Sequence, residues 1–238
     1  MLRRTPSHDG EPHHRNVQSG GARAAVFGLS DGLVTNVSLI LGVAGAHPGA
    51  GIVLLSGVSG LVAGAFSMAA GEFVSMQAQR ELFERELAVE REALDRSPAA
   101  ERRELAALYE RRGLDPDLAG ELAAAMMRDP TVALEIHARE ELGIDPSSLG
   151  SPLLAAVSSF MTFALGALLP LVPWFAGTGN GAILTSVAIG GVAAIGVGVV
   201  LGIMTGRSPV RAALRQLAAA AIAAAITYGI GRAVGIAS

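Results

Sequence analysis

The chain has no cysteine, which removes disulfides, thiolate metal ligands and thiol nucleophiles in one step. It has no lysine either, so all 18 cations are arginines. Aromatic residues make up only 4%, too few for thick interfacial belts. No P-loop or dinucleotide fingerprint occurs, which argues against ATP-driven work within this chain, and no catalytic constellation is evident; an enzyme is not expected. The first twenty residues hold no apolar core of a secretory leader and read as a flexible, mildly basic arm, with His8, His13 and His14 as a solvated cluster.

What the chain does have is apolar length. With 51% hydrophobic residues, 16% charged and a mean hydropathy of +0.47, its 238 residues cannot hide their apolar surface in one soluble core. Five runs approach the ~20 apolar residues needed to cross a bilayer: Arg23 to Ala46, Gly51 to Gln77, Pro152 to Ala176, Gly181 to Thr205 and Val210 to Ile236. The short links "HPGA" and "GTGNG" make hairpins of the first pair and of the third and fourth runs. Thirty glycines suit close helix packing, and Gly60/Gly64, Gly198/Gly202 and Gly231/Gly235 are small-xxx-small pairs suited to helix or dimer contacts.

Charge is segregated. Of the 21 acidic residues, 17 lie between Glu81 and Asp145, against nine arginines there. The pattern in this stretch is helical: the second run continues without a breaker to Arg96, Ser97 and Pro98 open a new helix that Gly113 ends, Asp115 to Met127 forms another, and Pro130 to Leu142 a further one before Gly143. The expected fold is therefore all-α: a polytopic membrane protein with five transmembrane helices and a helical insert between the second and third. Its parts are an arm at 1–21, two spans at 22–80, the acidic insert at 81–150 and three spans at 151–238. Arginines flank the ends that meet the insert and avoid the turns at 47–50 and 177–181, which expects the N-terminus and residues 81–150 in the cytosol.

Inside the spans only two carboxylates occur, Asp31 in "GLSDGLVTN" and Glu72 in "SMAAGEFVSM". A charge at the bilayer centre costs about 2.5 to 3.5 kcal/mol on insertion scales, and no base lies at that depth, so a transient cation or a proton is the natural partner. Met68, Glu72 and Met76 are spaced at i, i+4 and i+8, one helical face with a carboxylate between thioethers, which suits a borderline divalent transition metal. The plainer alternatives are that the methionines only pack and Glu72 snorkels, and that Asp31, with Ser30 and Asn36, caps a helix broken beside Gly28 and Gly32. In the insert, Glu86 and Glu90, then Glu101 and Glu104, pair on helical faces, and His137 precedes Glu140 and Glu141 by one turn. A cation between them, or a solvated face with Glu–Arg pairs such as Glu81 with Arg85, accounts equally for that pattern. A ferritin-like di-iron motif is absent, because Glu135 stands only two residues before His137.

The stretches "GLSDGLVTNVSLILGVAGA", "GLVAGAFSMAAGEFVSMQAQRE", "EELGI" and "GALLPLVPWF" resemble the vacuolar iron transporter family, in order and from about Ala22 to the C-terminus. The resemblance implies a homodimer with its path at the subunit interface, exchanging Fe²⁺, and often Mn²⁺, for protons out of the cytosol. It implies that Asp31, Met68 and Glu72 line the path. It also puts Glu90, Glu101, Glu104 and Glu141, with Glu140 beside it, on the acidic positions of a cytosolic metal-binding domain. Two departures stand out. Ala93 follows Glu90 where a second Glu is expected, with Glu86, Glu92 or Asp95 available to compensate. His137 and Ala138 occupy positions where methionines are expected. The functional expectation is a proton-coupled Fe²⁺ and Mn²⁺ transporter, with Zn²⁺ and Co²⁺ as further candidate ions and no resident cofactor. Its surroundings are a lipid bilayer, most simply a bacterial inner membrane, and no nucleic acid is expected. The rival readings are a membrane-anchored metal sensor or buffer and a passive cation channel.

Overall fold

The computed structural model describes residues 20–146 and 149–237, with side chains for 24–49, 51–146 and 149–235. His8, His13, His14 and most of the N-terminal arm lie outside the described residues. Among those described there are helices and turns but no strand: α1 (Gly20–Gly45), α2 (Ala50–Arg96), α3 (Pro98–Arg111), α4 (Pro116–Met126), α5 (Pro130–Glu140), α6 (Pro152–Leu168), α7 (Pro173–Ala176), α8 (Gly179–Met204) and α9 (Pro209–Ala237). Five of them, α1, α2, α6, α8 and α9, are long and apolar enough to cross a membrane. The protein is an integral membrane protein.

Helix α1 is the hub and touches α2, α6, α8 and α9. It gets close by shedding side chains. A Cβ on Gly32 would overlap the backbone of Phe163 on α6, and one on Gly166 would overlap Leu29 on α1. At the other end of α1, Gly231 and Gly235 on α9 lie against the backbone of Gly42 and Ala46. Gly198 and Gly202 on α8 press on Ala212, Ala213 and Pro209, and Gly60 and Gly64 on α2 receive Leu39 and Phe163. All three small-xxx-small pairs are thus used within one chain. Such contacts fit a setting where dispersion and backbone approach, not water exclusion, bind helices together.

Three differences from the sequence expectation have physical causes. Helix α1 runs unbroken through Asp31, because Gly28 and Gly32 serve the contact with α6 rather than a break. Asn36, instead of capping, is fully buried and donates from Nδ2 to the Ala167 carbonyl at 2.6 Å. The third span is not one helix to Ala176. It ends at Leu168, passes through a 3-10 turn at Leu169–Leu171 and restarts as the short α7, because Pro170 and Pro173 interrupt the amide ladder. There Trp174 Nε1 donates to Ser186 Oγ (2.9 Å), which in turn donates to the Pro170 carbonyl (2.7 Å), tying the break to α8.

The acidic segment forms a compact helical unit at one end of the bundle. Helix α2 is continuous over 47 residues, about 70 Å at 1.5 Å per residue, and carries the insert's first helix on the same rod as the second span. Leu105, Tyr109, Ala119 and Ala123 make the small core between α3 and α4. Gly113 and Gly143, with positive φ, close α3 and α5 where glycine was expected to stop them. Ser97 stands at the start of α3 but its hydroxyl makes no cap bond. Asp115 and Asp129 do cap, Asp129 accepting from the amides of Thr131 and Val132.

Candidate metal centre

Helices α2, α3 and α5 each bring one part of an acidic cluster. Glu90 comes from α2, Glu101 and Glu104 from α3, and His137 from α5, with Glu141 at that helix's C-cap. One ligand atom each from Glu90, Glu101 and His137 lie within 4.8 Å of one another. His137 is fully buried, and its Nδ1 is 3.1 Å from Glu90 Oε1 and 3.1 Å from Glu141 Oε1. Neither contact has hydrogen-bond geometry. Both ring nitrogens and both of those carboxylate oxygens are shut off from water without a hydrogen-bond partner.

The electrostatics follow from the crowding. Burial pushes the Glu90 carboxyl above its ordinary value; the neighbouring Glu141 adds to this, and Glu101 and Glu104 add less, while His137 opposes it. Burial likewise raises Glu141, again against the pull of His137 and with Glu104 and Glu101 adding to the rise. Glu90 and Glu141 thus keep their protons to higher pH than isolated carboxyls do. A divalent ion would relieve the same repulsion, and oxygen with one nitrogen is a donor set that suits first-row divalent metals.

The other expected insert residues sit apart. Glu140 turns away from the cluster and pairs with Arg112, clasping α5 to the end of α3. Glu86 lies one turn before Glu90 and is half-buried. Glu81 accepts from Gln77 rather than pairing with Arg85, while Arg80–Glu84, Glu92–Arg96 and Glu135–Arg139 are i,i+4 ion pairs. The Arg112–Glu140 clasp, 28 residues apart in sequence, has no local signal and was missed.

In the membrane half, α1 and α2 are antiparallel. Ala24 meets Met76 near the insert, and Asn36 faces Gly60 further along. This register sets Asp31 at about the level of Met68 and Glu72 about one turn nearer the insert. Asp31 is half-buried and accepts from Thr35 Oγ1 at 3.4 Å. Glu72 is also half-buried, with Oε2 closed off from solvent. Met68 packs on Ala65, Phe163 and Ala167, while Met76 is buried against Ala24 and Ala155 and its methyl fills the space over Gly150. Helix α9 is tied to α1 beside Asp31, where Gln216 Nε2 donates to Ser30 Oγ at 2.6 Å.

The model of the VIT family matches residues 22–232. Vacuolar iron transporter 1 of Oryza sativa subsp. japonica is 30% identical over 229 residues, 96% of this chain and 91% of that protein. The vacuolar iron transporter of Acanthamoeba castellanii is 36% identical over 235 residues, covering 95% and 84%. Vacuolar iron transporter 1 of Eucalyptus grandis is 31% identical over 213 residues, covering 89% and 86%. The match runs through both the glycine-packed bundle and the acidic insert, and the chain belongs to the VIT family.

Proposed function

We propose that this protein is a metal-ion transporter, not an enzyme, that moves Fe²⁺, and secondarily Mn²⁺, out of the cytosol in exchange for protons. The observation that carries the reading is the continuity of α2. One helix bears Glu90 in the buried acid and imidazole cluster and, about 33 Å away at 1.5 Å per residue, Met68 level with Asp31. In this reading the insert faces the cytosol of a bacterial-type inner membrane, as the arginine distribution argues, and gathers the ion. Glu72 and Met68 receive it, and Asp31 holds it at membrane depth. Protons from the far side then compete for Asp31 and Glu72 and release it.

Two copies would form the path between them. Support comes from polar positions left exposed on the membrane halves of α1 and α2, namely Thr35, Ser59 and Ser67, where a lipid neighbour suits a hydroxyl less well than a protein one.

Reconstitution into liposomes with an acidic lumen tests the mechanism. Adding Fe²⁺ outside should load the lumen with iron and alkalinise it, at a rate that grows with the pH difference. Flux indifferent to the pH gradient would make the protein a channel, and metal binding without flux would make it a sensor or buffer.

A further inference from the structure

Resting on the reading of the insert as a metal-collecting site, we infer that His137 is its specificity-determining ligand. A single imidazole in an otherwise all-oxygen donor set would tilt the site toward Zn²⁺ and Co²⁺ relative to Mn²⁺.

The donor inventory leads there first. The insert's two methionines are both engaged elsewhere: Met126 Sδ accepts from Tyr109 at 3.3 Å in the α3–α4 core, and Met127 lines a separate cavity with Arg91, Asp95 and Leu134. No thioether is positioned to compete with the imidazole. The cluster offers carboxylate oxygens and the two nitrogens of His137.

Geometry is the second strand. Two donors each about 2.1 Å from a shared divalent ion and roughly at right angles are about 3.0 Å apart, and donors on opposite sides are about 4.2 Å apart. The Nδ1–Glu90 and Nδ1–Glu141 separations of 3.1 Å match the edges of such a polyhedron. Glu101 adds a carboxylate oxygen within 4.8 Å of ligand atoms of Glu90 and His137, so a third helix contributes to the same cluster. One ring N–H cannot point at two carboxylates at once, whereas a cation taking the place of that proton can be shared by both.

Placement is the third. His137 is fully buried with neither nitrogen hydrogen-bonded, an arrangement that costs free energy unless something fills it. It sits on a helix fixed at its start by the Asp129 cap and at its end by Gly143, so the ring is held in place before the ion arrives. Manganese gains least from imidazole nitrogen among these ions and the later metals gain more, so a single nitrogen is enough to separate them.

The test uses the full-length chain in detergent with His8, His13 and His14 changed to Ala, so that the arm adds no imidazole. Co²⁺, Zn²⁺ and Mn²⁺ are titrated separately, and pulsed electron paramagnetic resonance of the Mn²⁺-loaded protein looks for a directly bound nitrogen. His137→Gln should weaken Co²⁺ and Zn²⁺ binding by about 30-fold or more and Mn²⁺ by less than about 3-fold. The nitrogen coupling should be present before the substitution and absent after it. Equal loss of all three metals, no loss of any, or no nitrogen coupling in the protein with His137 intact would overturn the inference. The coupling measurement does not depend on whether the Gln variant folds. The double variant Glu90→Gln/Glu141→Gln separates the two levels of argument. If it binds metal as before, the collecting site itself is wrong; if it loses metal while His137→Gln is unselective, only the role of His137 falls.

Discussion

The membrane bundle and the insert hold their helices together in opposite ways. In the bundle, α1 meets α6 and α9 where side chains are missing, at Gly28, Gly32, Gly166 and Gly231. In the insert, the helices meet through ordinary leucine, tyrosine and alanine packing on one side and through a knot of like charges on the other. In the first arrangement the fully buried polar side chains, such as Asn36, Ser159 and Ser186, are neutral. The second crowds carboxylates together, and burial and mutual repulsion raise Glu90 and Glu141 above their ordinary value. The difference places close backbone packing in the bundle and the crowded titratable groups in the insert.

The largest test of that contrast exchanges one glycine from each region. Gly32→Leu must displace the Phe163 backbone on α6, so it should abolish a properly folded bundle, read as loss of the monodisperse species in detergent chromatography. Gly120→Ala, on α4 with open space around its Cβ, should instead stabilise the insert by about 0.5 to 1 kcal/mol. If Gly32→Leu folds normally, the close-approach account of the bundle is wrong.

Next in size is flux. Asp31→Asn should lower Fe²⁺ transport in liposomes by about 100-fold. Glu90→Gln/Glu141→Gln should cost about 3- to 10-fold and only at low metal, because gathering an ion can be replaced by supplying more of it. The reverse ranking would move the essential step into the insert.

The pH response of the metal-free protein comes third. Glu90 and Glu141 ionise higher in the fold than the ordinary 4.5, so the folded state binds more protons than the unfolded chain between the two values. Their stabilising contribution is complete below pH 4.5 and is lost as pH rises through the raised values. In chelator the insert should therefore melt lower at pH 7.5 than near pH 5, and Glu90→Gln should flatten that fall by a few degrees. A steeper fall in the variant would contradict the crowding described for the cluster.

The smallest effect separates two caps that look alike in sequence. Asp129→Ala should cost about 1 kcal/mol in thermal denaturation of the insert, and Ser97→Ala close to nothing, because only Asp129 accepts amide hydrogen bonds.

Much of this was legible because it is written locally. Five apolar runs, the unbroken second helix and the glycine stops at Gly113 and Gly143 all follow from hydropathy and backbone preference, which act over a few residues. The break in the third span was legible too, in Pro170 and Pro173, but reading the run by apolarity alone conceals it. The spacing of His137 and Glu141 showed that they share a face. It could not show that Glu90, 47 residues earlier, would meet them, since that depends on how α3 and α4 fold back. The Arg112–Glu140 clasp and the burial of Asn36 against Ala167 depend on tertiary placement in the same way.

The length of α2 has a mechanical consequence. A straight helix anchored in the bundle near Met68 is a lever whose outer arm, to Glu90, is about 33 Å long at 1.5 Å per residue. A tilt of about 10° at the anchor sweeps Glu90 through about 6 Å, more than the spacing of the cluster it helps to form. In a rigid α2, any angular change beside Asp31 would thus be magnified at the acidic knot.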